Sequence, residues 1–80
     1  MSYNEILERV IDIFSTMAET DDEITAESEI IEDLGISSMD VLLLICNLEE
    51  EFGIKIPERM VRKMASIDDV ARIVEDLTNK

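Results

Sequence analysis

Ser37-Ser38-Met39-Asp40-Val41-Leu42-Leu43-Leu44-Ile45-Cys46-Asn47-Leu48-Glu49-Glu50-Glu51-Phe52-Gly53 is a helix with both ends spelled out in its residues. A serine ahead of an apolar run can accept from an orphan N–H of the first turn, so Ser37 is the expected N-cap. Asp40 then stands at the third helical position, where a carboxylate is favoured. Gly53 can take the left-handed backbone that stops a helix after Phe52. Between these ends there are more apolar residues than one buried stripe needs. Val41, Leu44, Ile45, Leu48 and Phe52 follow the spacing of a core face, and Met39, Leu42, Leu43 and Cys46 form a second stripe beside it. Two readings stay open for that second stripe. A central helix of a bundle would bury it, or it is an exposed apolar patch, rimmed by Glu49-Glu50-Glu51, of the kind that partners recognise.

Outward from this helix the chain reads as further helices with punctuation. Upstream, Glu19 to Gly35 loses helical period and crowds acidic residues, yet Ile24, Ile30, Ile31 and Leu34 are apolar enough to pin it to a core as a long loop. Its Asp21-Asp22-Glu23 cluster lacks the alternating acids, central Gly and distal Glu of a calcium loop, and reads as solvated charge. Before the loop, Ser2 and Glu5 make a capping pattern, and Tyr3, Ile6, Leu7, Val10, Phe14 and Met17 recur at helical spacing. Downstream, Pro57 fits the first position of a short helix running to about Lys63. Ser66-Ile67-Asp68-Asp69 caps a last helix whose inward face is Ile67, Val70, Ile73, Val74 and Leu77. The chain is expected to be all-α, four helices in a bundle with a long loop after the first and a short third.

Eighty residues supply one core, so residues 1–80 are read as a single domain. Seven basic against twenty acidic residues give a formal charge of −13, which repels nucleic acid and anionic lipid and attracts basic protein surfaces. Four of the basic residues, Lys55, Arg59, Arg62 and Lys63, gather around the third helix, where they are expected to pair with the acidic loop or the second helix, a contact with a partner being the alternative. The longest apolar run, Val41 to Cys46, is too short for a membrane span, and the N-terminus has no signal-peptide pattern, so a cytoplasmic monomer is expected. The lone Cys46 cannot form an internal disulfide. Without histidine, an ordinary zinc site and the usual general base are lacking, so neither a catalytic nor a metal-binding residue is expected.

Ser38 stands just inside the start of the second helix, where first-turn N–H groups and the positive end of the dipole suit a phosphodiester. On local chemistry alone, Ser37 and Ser38 read first as helix-start serines. A wider pattern separates them. Leu34-Gly35-Ile36-Ser37-Ser38-Met39-Asp40, then Leu48-Glu49-Glu50-Glu51-Phe52-Gly53-Ile54 and Ile56-Pro57, resembles the central region of acyl carrier proteins. The resemblance runs the whole length, helix order included. The family motif is Leu-Gly-x-Asp-Ser-Leu-Asp or -Glu, and Gly35, Ser38 and Asp40 match it. The resemblance thus implies 4′-phosphopantetheine, donated by CoA through a phosphopantetheinyl transferase, on Ser38 and not on Ser37. It also implies acyl cargo held as thioesters, no catalysis, and partners that are acyl-transferring or acyl-activating enzymes with basic docking surfaces. Their expected contact surface is Met39, Asp40, Leu42, Leu43, Cys46, Glu49 and Glu50.

Three positions depart from the family pattern. Ser37 replaces the usual Asp, keeping the cap and losing the charge that helps the transferase dock. Met39 replaces Leu with little change in volume. Leu43 stands where many members have an acid, which makes this surface more apolar and suggests a specialised member. A peptidyl or D-alanyl carrier on the same fold, and an unmodified acidic helical adaptor, are the alternatives left open.

Overall fold

A computed structural model describes residues 2–18 and 23–79, and within them the chain forms four helices. These are α1 (Tyr3–Ser15), α2 (Ser38–Phe52), α3 (Glu58–Val61) and α4 (Ile67–Thr78). The acidic cluster at 21–23 falls mostly outside the described residues; of it, only the exposed Glu23 is described.

Each of the three longer helices begins where its sequence capping signal lies. Ser2 Oγ accepts from the Glu5 N–H at 3.3 Å, and Ser37 Oγ from the Asp40 N–H at 3.2 Å. At α4 the exchange is reciprocal: Ser66 Oγ accepts from the Asp69 N–H, and Asp69 Oδ2 accepts from the Ser66 N–H at 3.1 Å. At the far end of α2, Gly53 takes φ 64°, a left-handed conformation that suits a residue without Cβ. Gly35 takes φ 67° just before Ser37 and turns the loop into the helix start.

Among the described residues the core is one cluster to which every helix except α3 contributes. Ile6, Val10 and Phe14 come from α1, Leu44, Ile45 and Leu48 from α2, and Ile67, Val70, Ala71 and Val74 from α4. Helix α1 packs most extensively on α4 and next on α2. Met17, Val41, Phe52, Ile73 and Leu77 are half-buried around this cluster, as their stripes predict.

The long loop is pinned, and the pins are visible. Ile30 and Leu34 are buried, each worth roughly 1.5–3 kcal/mol of gross transfer free energy. The loop also serves α4: Ala26 and Ser28 carbonyls accept from the Asp68 and Ile67 N–H groups at 2.8 and 3.0 Å. These are first-turn donors that no carbonyl of the helix itself can reach. In return Ile30 N–H donates to Ala65 at 2.9 Å.

Two expectations need correction. Ile31 is 59% exposed, because its neighbour Ile30 takes the inward direction in the same turn. Pro57 is the N-cap of α3 and not its first helical residue: its ψ of 147° is extended, while its carbonyl accepts from Met60 and Val61. That helix ends at Val61, where Lys63 and Met64 bond back three residues instead of four.

Candidate functional site

Ser38 is the first residue of α2, set in place by the Gly35 turn, the buried Ile36 and the Ser37 cap. The two serines thereby part company. Ser37 Oγ is occupied with the Asp40 N–H, whereas Ser38 is exposed and, among the described residues, its hydroxyl takes part in no hydrogen bond. The N–H groups of Ser38 and Met39 lie in the first turn, ahead of any carbonyl of the same helix.

Beside Ser38 a cleft of about 310 Å³ opens between α2 and α3, lined by Ser38, Met39, Val41, Leu42, Glu58, Val61 and Arg62. Its walls are mostly aliphatic. Helix α3 has no buried residue and holds on through the half-buried Met60 and Val61, with Met64 just beyond its end, so this wall is the most weakly anchored of the bundle. A larger hollow of about 410 Å³ between α1 and α2 is lined by Ile13, Thr16, Asn47, Glu50 and Glu51. It does not include Ser38, and four of its five lining residues have polar or charged side chains.

The second stripe of α2 faces out. Met39 is 74% exposed, Leu42 56% and Leu43 55%, with Cys46 exposed beyond them. The core therefore does not absorb both stripes, and a contiguous apolar strip leads from Ser38 along the helix. Asp40 is half-buried and Glu50 exposed. Glu49 differs from its neighbour. Its Oε2 accepts from the Ile56 N–H at 2.8 Å, so this acid braces the α2–α3 connection instead of standing free at the rim.

The basic group around α3 is not joined to the acidic loop or to α2 among the described residues. Arg62 Nη2 instead pairs with Glu58 Oε1 at 2.9 Å within the same segment. Sequence reasoning placed Arg62 as charge compensation or a partner contact and did not name Val61, although both line the cleft next to Ser38. No periodicity signal could have shown this, because the cleft depends on how a four-residue helix is tilted against α2.

Residues 8–74 match the family model for the phosphopantetheine attachment site. The chain belongs to the acyl carrier protein family. It is 42% identical over 74 residues to an acyl carrier protein of Campylobacter hominis, covering 91% of this chain and 94% of the relative. With an acyl carrier protein of Wolinella succinogenes it shares 40% identity over 78 residues, 98% and 96% of the two chains. A solved structure described as a candidate acyl carrier protein from Mycobacterium tuberculosis superimposes with a TM-score of 0.81 at 31% identity, covering 89% of this chain and 96% of the other.

As an acyl carrier protein the chain transports and does not catalyse, and its prosthetic group is 4′-phosphopantetheine. The local structure fits that group. A phosphodiester needs an unencumbered hydroxyl and nearby donors, and Ser38 combines an exposed side chain with the first turn of a helix. When bound, the group supplies a terminal thiol that holds acyl groups as thioesters.

Proposed function

We propose that Ser38 is the residue that receives 4′-phosphopantetheine from CoA, and that the loaded protein presents acyl groups for fatty-acid, polyketide or related biosynthesis. The observation that carries this reading is the division of labour between adjacent serines: Ser37 is committed to the helix cap while Ser38 is exposed beside an apolar cleft. The cleft supports a second element of the reading. An acyl chain leaving the arm can lie between Val41, Leu42 and Val61, and the weakly anchored α3 can move aside for it.

The exposed Met39, Leu42, Leu43 and Cys46, with Asp40 and Glu50 close by in sequence, are the docking surface in this account. An apolar strip in a chain of charge −13 suits a partner whose own patch is apolar with a basic border. Leu43 makes the strip more apolar than the family pattern and supports a specialised member over a general one. The single buried cluster supports reading residues 1–80 as one domain. Among the described residues no helix is long and apolar enough to cross a membrane, which is compatible with a cytoplasmic carrier.

Fragment-ion mass spectrometry of the modified protein tests the attachment. The reading requires the phosphopantetheinyl mass on fragments that include Ser38 and its absence from fragments ending at Ser37. A group on Ser37, or on neither, would overturn it; an unmodifiable chain would favour an acidic helical adaptor.

A further inference from the structure

The Ser38 reading gives a role to the aliphatic walls of the α2–α3 cleft and none to its ion pair, Arg62 and Glu58. Among the residues that line this cleft, Arg62 is the one positive charge, and it shares the space with Ser38. Its side chain is 77% exposed and is held by a single ion pair to Glu58, four residues earlier. Exposed pairs of this kind are weakly held. A phosphodiester fixed to Ser38 would add an anion to a chain that already carries −13, close to Asp40 two residues on and to Glu58 across the cleft. The first-turn N–H groups of α2 can meet that anion from one side. The other side faces α3, where Arg62 is the lining residue able to answer it. A guanidinium fork matches a pair of phosphate oxygens, whereas the contact it now makes with Glu58 is a single exposed one.

We propose that Arg62 exchanges Glu58 for the phosphodiester once the arm is attached, and so holds the base of the arm at the mouth of the α2–α3 cleft. The inference rests on Ser38 as the attachment point. Arg62 is then a positioning residue: it sets the direction in which the arm leaves α2 and favours entry of the cargo between Val41, Leu42 and Val61 over extension into solvent. Departure of Arg62 also frees Glu58 from its partner, which loosens the first turn of α3 at the moment the cleft has to admit a chain.

The test compares the ¹⁵N-labelled protein before and after conversion with CoA and a broad-specificity phosphopantetheinyl transferase, intact mass giving the number of arms in each sample and fragment ions their position. The Nε–H resonance of Arg62 is expected to shift on conversion, while those of Arg9 and Arg72, paired with Glu51 and Asp68, stay in place. The ³¹P resonance of the phosphodiester is expected to move in Arg62→Gln and to return part of the way in Arg62→Lys. It should not move in Lys63→Gln, whose charge is adjacent in sequence but does not line the cleft. If the mass shows one arm on Ser38 and yet Arg62 shifts no more than Arg9 and Arg72, the proposal is wrong. Equal ³¹P effects of Arg62→Gln and Lys63→Gln would also overturn it, by reducing the effect to general charge. A mass gain that does not map to Ser38 would overturn the attachment reading and this inference together.

Discussion

Glu49 binds the connection after α2 twice: its carbonyl accepts from the Gly53 and Ile54 N–H groups, and its carboxylate accepts from the Ile56 N–H at 2.8 Å. One residue thus closes the helix and fixes the path that leads to α3. Glu49→Ala is expected to cost about 1–2 kcal/mol, because the N–H of the buried Ile56 loses its charged acceptor. Glu49→Gln, which keeps an acceptor oxygen, should cost less. Urea midpoints and amide protection at Ile56 check both, and equal losses in the two variants would show that the hydrogen bond is not the cause.

That bond also marks where sequence reading stopped. The order of the helices, the caps at Ser2, Ser37 and Ser66 and the stop at Gly53 were legible, because each rests on chemistry within four residues. The exposure of the Met39 stripe was not, since it depends on whether α3 or the loop covers that face. Glu49 looked like Glu50 for the same reason: nothing in three consecutive acids tells which one curls back to a backbone donor seven residues away. Ser38 was legible as a candidate only through the longer motif, and Arg62 as part of its cleft not at all.

Stability should depend on pH at both extremes through one pair. The Tyr3 hydroxyl donates to Asp68, which, helped by the Arg72 guanidinium at 2.8 Å, holds the Asp68 carboxyl below its ordinary value against the opposing effect of burial. The folded state therefore binds fewer protons there, and this stabilisation is present above about 3.8 and is lost as pH falls through the folded value. Tyr3 is raised above its ordinary 10.0, chiefly by the same hydrogen bond, so its stabilisation is present below that pH and is lost as pH rises through the folded value. Tyr3→Phe should bring the Asp68 carboxyl back toward its ordinary range and flatten the alkaline limb. Carboxyl NMR titration of Asp68 in the two proteins checks this, and an unchanged titration would contradict it.

The two faces of α2 should respond in opposite ways. Leu43→Glu, on the exposed strip, is expected to change stability by no more than about 0.5 kcal/mol. It should raise the rate of modification by a transferase with a basic docking surface, with the gain fading at high salt. Leu48→Ala, in the core, is expected to cost about 2–5 kcal/mol. Denaturation midpoints and salt-dependent initial rates separate the two effects.

Loss of the α4 cap should be felt in the loop. Ser66→Ala removes the acceptor for the Asp69 N–H and is expected to cost about 1 kcal/mol. Since Ile67 and Asp68 hold the loop through the Ser28 and Ala26 carbonyls, amide protection at Ile30 should fall along with that of α4. Protection that falls in α4 alone would show that the loop is held by the burial of Ile30 and Leu34 instead.

The attachment at Ser38 is tested most directly by intact mass after incubation with CoA and a broad-specificity phosphopantetheinyl transferase, run on the native chain, Ser38→Ala and Ser37→Ala. The account predicts the gain of one phosphopantetheinyl group in the native chain and in Ser37→Ala, where the loss of the cap slows modification without abolishing it, and no gain in Ser38→Ala. A gain that survives Ser38→Ala, or no gain in the native chain, would contradict it.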